Sequence, residues 1–492
     1  MNSNQQCLLN IEENRILKHN NRKKHNQYFT PEFAVEKALL FVPISEVKNI
    51  IDPAVGNGIF LKVAAKKWNS AKLFGVDIDT SIIQNLKNIN LPNSVYFRGD
   101  SLFKETWGKT EIKKIISDGG FDLVIGNPPF SSWLYRIDSP KILSDYALAY
   151  RNSRFMKSQS IEVLFLETFI RLAREGGYIV IVLPDGILSN PQYSYVREFI
   201  LTETQVKLII SLPRNVFEDT SAKTSILLLE KKGIPYLNYS VKLYDLGRTG
   251  IINNVIETRG EVLINRMDYW YYYNLKRSSI NELANNGLKF GPLKKFVAYC
   301  KTGKTLYGSE RKFSNTGLRF LHATNISEIG ICYKKNERFI DPRSKMNFLN
   351  AYVSVGDLLF VRVGVGCAGR VAIVDNKEDE GVATDYIHIF RVKDINPYFL
   401  VVYLKTKFGR ESINLLKHGV GTVSINKTDL LSLPIPPVPE TVQLEIEKRY
   451  KCILAEYRKN EKYDILQNWM SSLINYLEEK ISNYRRNKYV EV

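Results

Sequence analysis

A chain of 492 residues has room for two to three domains with ample core, and 44% apolar with 24% charged residues excludes an intrinsically disordered protein. Lys+Arg outnumber Asp+Glu by 69 to 51; the formal charge of +18 favours a polyanionic partner, although solubility or an AT-rich genome would give the same balance. Cys7, Cys300, Cys332, Cys367 and Cys452 are scattered without Cys-x-x-Cys spacing, and no apolar run approaches a membrane span, so we expect a cytoplasmic chain with no structural zinc, no disulfide framework, no metal site and no membrane partner.

Residues 1–26 read as a helix start followed by the basic stretch Arg22-Lys23-Lys24-His25, a pattern typical of a solvated face. Gln27-Tyr28-Phe29-Thr30-Pro31 then enters a helix predicted from Glu32 to Leu40, for which Thr-Pro-Glu is an ordinary start. Val47–Ile51 predicts a first strand, running into Asp52-Pro53-Ala54-Val55-Gly56-Asn57-Gly58-Ile59-Phe60 and a helix over Leu61–Lys67. A glycine-rich turn there lets a ligand approach the backbone, but many nucleotide-binding sheets have one. The second predicted strand, Lys72–Val76, ends at Asp77, followed by Ile78; an acid about 20 positions beyond the glycines is where a ribose diol is gripped. A third strand, Val95–Arg98, leads to Gly99-Asp100-Ser101-Leu102. The apolar run Phe121–Gly126 predicts a buried parallel strand with Asn127-Pro128-Pro129-Phe130 at its carboxyl end.

Two adjacent prolines fix φ twice and remove two N–H donors, so the backbone offers only carbonyl acceptors beside the Asn127 side chain. Such a set suits an exocyclic amino group on a flat heterocycle, with Phe130 as a stacking surface. A rigid turn with a core Phe would look the same in isolation. The preceding tips decide the matter, because Asp52, Asp77, Asp100 and Asn127 follow in succession along one sheet edge. The first loop carries Asp52 and Pro53 where a pyrophosphate would require N–H donors and no negative charge. The ligand is therefore cationic or zwitterionic. S-adenosylmethionine fits: its amino group and sulfonium tolerate Asp52, its ribose suits Asp77 and its adenine can bond Asp100.

In this order, Gln27–Pro31, Asp52–Phe60, Asp77, Asp100 and Asn127–Phe130 resemble the motifs of the amino-group DNA methyltransferases, arranged as in their gamma class. The resemblance covers roughly the first half of the chain. It implies an α/β fold: a class I Rossmann-like S-adenosylmethionine-dependent methyltransferase domain with Asn127, Pro128, Pro129 and Phe130 as the catalytic set. It also implies cofactor contacts from Thr30, Pro31, Asp52, Ala54, Gly56, Asp77 and Asp100, with Tyr28, Phe29, Gly58, Ile78, Ser101 and Asn127 completing the candidate set. Val55-Gly56-Asn57-Gly58 is a mild variant of the common Cys-Gly-Ser-Gly. Residues 131–160 lack clear periodicity and, by resemblance, form a loop that closes over flipped DNA. A helix over Ile161–Arg174 and strands over Tyr178–Leu183, Val206–Leu212 and Ser225–Leu229 complete the sheet. Phe217 resembles a second aromatic that sandwiches the extruded base against Phe130, and a core Phe is the competing reading.

From about Phe290 the pattern changes to short strands broken by Gly and polar turns. Phe320–Ile326, Val355–Gly364, Gly366–Val374 and Leu433–Pro437 are together similar to one target-recognition domain of a type I specificity subunit. This implies an α+β target-recognition domain followed by a long C-terminal helix. Apolar residues at Ile446, Tyr450, Ile453 and Tyr457, then Ile465, Trp469, Leu473, Leu477, Ile481 and Tyr484, form a stripe that must pack on something: the chain's own body, a second copy or another restriction-modification subunit. We therefore expect a basic helical segment over 1–26, a catalytic domain over 27–250, an interdomain stretch over 251–289, target recognition over 290–438 and a helical region over 439–492. With only 26 residues ahead of Gln27, no fused nuclease is expected.

These readings converge on sequence-specific methylation of adenine N6 in double-stranded DNA, in a restriction-modification or orphan system. Cytosine N4 uses the same geometry, and Asn at 127 favours adenine in family terms. Methylation of a protein glutamine would need no recognition domain, and a non-catalytic specificity subunit would not need the intact motifs.

Overall fold

The computed structural model describes residues 30–130, 136–214, 216–217, 223–232, 238–334, 336–364, 366–417, 423–459 and 463–483. They divide into two compact units, the first ending at Tyr272 and the second beginning at Tyr273. Tyr28, Phe29, the basic amino terminus and Tyr484 lie outside the described residues.

The first unit is built on a nine-stranded sheet. In chain order its elements are α1 (Glu32–Leu40), β1 (Asn49–Asp52), α2 (Ile59–Lys67), β2 (Lys72–Asp77), α3 (Thr80–Ile89), β3 (Ser94–Arg98) and β4 (Phe121–Gly126). Then follow α4 (Ile161–Leu172), β5 (Ala173–Pro184), β6 (Thr204–Ser211), β7 (Thr224–Lys231), β8 (Ser240–Leu246) and β9 (Ile252–Arg259). The spatial order is β9-β8-β6-β7-β5-β4-β1-β2-β3. From β3 to β5 the strands are parallel, whereas β7 runs antiparallel to both β5 and β6. The order reverses at β1, with β2 and β3 on one side and β4 and β5 on the other. That reversal makes the carboxyl edge beside β1 and β4 the switch point at which open α/β sheets bind ligands.

Local chemistry explains these elements. Leu123, Val124 and Ile125 of β4 are fully buried, as a strand covered on both faces requires. Asp122 is the polar exception; its Oδ2 accepts from the N–H groups of Lys48 and Asn49 at 2.9 Å, and its Oδ1 pairs with Arg174 Nε at 2.7 Å. It thus ties the start of β1 to β4 and β5. Helix α3 is capped by Asp79, which accepts from the Ser81 N–H at 2.8 Å, and it ends at Asn90 in the left-handed region.

Two strands that patterning did not reveal, β8 and β9, extend the sheet. Edge strand β9 (Ile-Asn-Asn-Val-Ile-Glu-Thr-Arg) buries only Ile256, so its apolar signal is weak. The region after Phe130 is likewise more ordered than its composition indicates. Arg136–Ile137 pairs with Gln159–Ser160, and Tyr150–Arg151 with Arg154–Phe155. Two-residue strands leave no periodicity to read.

The second unit holds two four-stranded sheets. Its strands are β10 (Val297–Thr302), β11 (Leu318–Leu321), β12 (Phe339–Ile340), β13 (Tyr352–Val353), β14 (Leu358–Val361), β15 (Val371–Ile373), β16 (Gly381–Ala383) and β17 (Ile387–Val392). One sheet is ordered β10-β17-β14-β15 and the other β12-β11-β16-β13. Helices α5 (Pro397–Lys405), α6 (Lys407–Leu415), α7 (Glu440–Arg458) and α8 (Tyr463–Asn483) follow. Asn396 caps α5 by accepting from the N–H groups of Tyr398 and Phe399.

The tail is two helices and not one. Ile446, Tyr450, Ile453 and Leu454 of α7 and Leu466, Met470, Leu473, Leu477 and Ile481 of α8 are buried in one core with α5 and β14. Ile446, Tyr450, Ile453, Leu473, Leu477 and Ile481 of the stripe are therefore covered within their own unit. In α8 the buried register is Leu466 and Met470, whereas Ile465 and Trp469 are 42% and 49% exposed. Leu477→Ala is expected to lower the unfolding free energy of this unit by about 2–5 kcal/mol through a core cavity. Trp469→Ala should stay within about 0.5 kcal/mol. Urea denaturation of the full chain, followed by fluorescence, measures both.

Candidate active site

Four strand tips build the site. The β1 tip carries Asp52, whose side chain is buried and whose Oδ1 accepts the Ala54 N–H at 3.0 Å. Burial raises its pKa well above the usual carboxylate range, and the nearby Asp77 adds to the shift while the Ala54 bond opposes it. A buried acid in this state is a receptor for positive charge. Beyond it the turn reaches Gly56 and Gly58, both at positive φ, and Gly58 opens α2. A Cβ at Gly58 would stand 2.7 Å from Leu86 Cδ2, so this position needs glycine for space as well as conformation.

The β2 tip holds that turn. Asp77 Oδ2 accepts the Gly56 N–H at 3.0 Å and its Oδ1 accepts the Asp79 N–H at 2.9 Å, while the Val55 N–H donates to the Val76 carbonyl at 2.9 Å. The carboxylate is thereby fixed beside the glycine loop, with Ile78 exposed next to it. After β3, Asp100 Oδ1 accepts the Leu102 N–H at 3.0 Å. Ser101, predicted among the cofactor contacts, is buried and donates its hydroxyl to the Pro53 carbonyl at 2.5 Å. Its place is a brace between the first and third loops.

The β4 tip ends at Gly126, which lies against Asp52 because β1 and β4 are neighbours. A Cβ on Gly126 would overlap Asp52 Oδ1, stand 3.0 Å from its Cγ, and come within 3.2 Å of Phe169. Asn127 and Pro129 are half-buried; Pro128 and Phe130 are buried. Phe130 and Phe217 meet with centroids 6.3 Å apart and planes at 81°. The two rings thus pack edge to face.

Thr30 adds a feature of its own. The helix cap is Pro31, with no side-chain cap bond, and the Thr30 hydroxyl is buried without a hydrogen-bond partner among the described residues. The ordinary helix-entry role is therefore not the one it has. Two positions beside the site carried no readable signal in the sequence. Asp185, at the end of β5, accepts from Ser225 Oγ at 2.7 Å and pairs with Lys223 Nζ at 3.4 Å. The Lys223 ammonium in turn lies 5.1 Å from the Trp270 ring centre.

Parallel strands reversing at β1, with acids on successive tips, define a class I methyltransferase, for which S-adenosylmethionine is the implied cofactor. A buried acid of raised pKa, a buried hydroxyl without a partner among the described residues and a glycine turn after β1 all fit that group. The chain belongs to the N-6 DNA Methylase family, which it matches over residues 11–257, half of its length; residues 276–467 match the Type I restriction modification DNA specificity domain. It is 26% identical over 224 residues to the Type I restriction enzyme MpnII methylase subunit of Mycoplasma pneumoniae, covering 42% of this chain and 41% of that protein. To the Type II methyltransferase M.AccI of Acinetobacter calcoaceticus it is 23% identical over 329 residues, 62% of this chain and 56% of that protein. The chain in the cryoEM structure of a DrdV–DNA complex is similar in fold, with TM-score 0.50, 12% identity and coverage of 90% of this chain and 58% of that one. The chain thus spans about half the length of the curated relatives it matches.

The raised Asp52 pKa has a definite sign in stability. Between the ordinary Asp value of about 3.9 and the higher folded value, the folded state holds the extra proton, so ligand-free stability falls as pH rises through that window. Asp52→Asn should remove this fall and leave the ligand-free melting temperature at neutral pH equal or higher. The same change should weaken sinefungin by about tenfold or more, equivalent to about 1.4 kcal/mol. In the wild type, sinefungin affinity should rise with pH across the window. Differential scanning fluorimetry and calorimetric titration over a pH series read all three.

Proposed function

We propose that the chain is a sequence-specific DNA methyltransferase that acts on the N6 amino group of an adenine flipped out of double-stranded DNA, as the modification component of a restriction-modification system. The observation that carries this reading is the Asn127–Phe130 acceptor row beside the buried Asp52, in a chain that continues into a specificity domain. We place the catalytic residues within 27–250, with the sheet that carries them running on through β9, and target recognition within 290–438.

Bound at the strand tips, S-adenosylmethionine supplies an electrophilic methyl group on a sulfonium. Asp52 and Thr30 would hold its charged end, Asp77 its ribose, and Asp100 with Ile78 its adenine. The acceptor row acts on the other reactant. Adenine N6 is a poor nucleophile because its lone pair is delocalised into the ring. The Asn127 side-chain oxygen and the Pro128 carbonyl each accept one N6–H, drawing the nitrogen toward tetrahedral geometry and freeing the lone pair for in-line attack. Two prolines hold these acceptors stiffly, so little reorganisation accompanies the transition state. No strong general base is needed, since the alkylated nitrogen releases a proton readily.

Flipping the base costs a few kcal/mol, and stacking on Phe130 offsets about 1–3 kcal/mol of it. Phe217, packed edge to face with Phe130, would be the second aromatic beside the base. Asn127→Ala is expected to retain sinefungin and duplex binding and to lose methyl transfer by at least about a hundredfold, the scale of a lost oxyanion-type contact. Phe130→Ala should reduce the fluorescence rise of 2-aminopurine at the target position. Nucleoside analysis of DNA treated with the wild type identifies the product: N6-methyladenine supports the assignment, and 4-methylcytosine overturns the choice of base.

A further inference from the structure

Within the second unit lies a pocket of about 190 Å³, room for several waters at about 30 Å³ each. Its walls set four cationic residues, Arg370, Lys405, Arg410 and Lys417, around one acid, Glu328. Lys405, at the end of α5, is only 5% exposed and donates from Nζ to the carbonyls of Glu328 and Val371, both at 2.8 Å. Two carbonyls do not neutralise an ammonium, which carries a third N–H. Burial lowers its pKa to about 8, with Glu328 opposing the shift and Arg410 and Arg370 adding to it. Burial also lowers the pKa of Lys417.

Glu328 is a partial match for this much positive charge. Its Oε2 lies 3.2 Å from Arg410 Nη2 and its Oε1 3.4 Å from Arg370 Nε. The Arg370 contact is within ion-pair distance but lacks hydrogen-bond geometry, so the buried Nε–H has no acceptor among the described residues. The Glu328 side chain is 51% exposed and can swing into solvent. Beside it, Gly366 sits at positive φ, and among the described residues nothing lies within 4 Å of where a Cβ would stand. A planar carboxylate offers two oxygens to these donors. A tetrahedral group with more oxygens can meet Arg370, Arg410 and the remaining Lys405 proton together.

We propose that this pocket is a phosphate site in which the Glu328 carboxylate stands in for the phosphate until a phosphoryl group displaces it. The inference rests on the DNA reading for one of its two sources, a backbone phosphodiester of the duplex; free inorganic phosphate supplies the same chemistry. As a backbone contact it would position the specificity domain without reading bases.

The test uses the full chain as wild type, Arg410→Gln, Lys417→Gln and Glu328→Gln. Duplex affinity is measured across a salt series, and melting temperature with and without inorganic phosphate at constant ionic strength. If the source is the duplex, Arg410→Gln weakens binding alike for all sequences and lowers the slope of log affinity against log salt by about 0.9, while Glu328→Gln strengthens binding several-fold. If the source is free phosphate, the slopes stay equal. Phosphate then raises the melting temperature of the wild type, and more so of Glu328→Gln, but not of Arg410→Gln. The proposal is overturned if neither readout responds to any variant, or if Glu328→Gln weakens binding as Arg410→Gln does. A wild type that binds no duplex would count against the methyltransferase reading alone, leaving the phosphate arm to decide the pocket.

Discussion

The Asp52 carboxylate and the backbone of Gly126 share a space that a single added carbon would fill. Because β1 and β4 are hydrogen-bonded neighbours, the buried acid Asp52 and Gly126, the residue immediately before Asn127, are set side by side. The remaining features of the first unit serve that adjacency. Asp122 ties the start of β1 to β4, Asp77 fixes the glycine turn, and Ser101 braces the third loop against Pro53. Each uses a side chain to hold backbone, so the site is assembled from rigid strand ends.

Much of this was legible in the sequence. Buried parallel strands are continuous apolar runs, so Lys72–Val76 and Phe121–Gly126 were predicted almost to the residue, and polar residues after such runs mark the tips. What stayed hidden has identifiable causes. Strand β9 packs little and its Ile-Asn-Asn-Val-Ile-Glu-Thr-Arg order breaks the two-residue alternation of a strand, and the two-residue pairings after Phe130 are too short for any period. The register of α8 was ambiguous because Ile465, Leu466, Trp469 and Met470 place two apolar pairs at helical spacing, and only the packing of α5 and α7 selects between them. The roles of Thr30 and Ser101 depend on which partner each hydroxyl finds, and local sequence does not specify that.

The two units meet charge in different ways. In the first, a buried acid has no cation paired with it among the described residues, and the chemistry proposed for the site supplies one. In the second, four basic side chains line one pocket, and its half-exposed carboxylate pairs with two of them, Arg370 and Arg410. Both are incomplete pairings inside otherwise well-packed structure, and both are the kind of local inconsistency expected where a protein meets a ligand.

The buried Asp52 also bears on the lifetime of the protein in a cell. A ligand that binds only the folded chain and relieves an unfavourable charge withdraws molecules from the unfolded pool that proteases attack. For a ligand that binds only the folded chain, that protection grows with the logarithm of its concentration above Kd, so occupancy of such a site would guard the fold as well as permit a reaction.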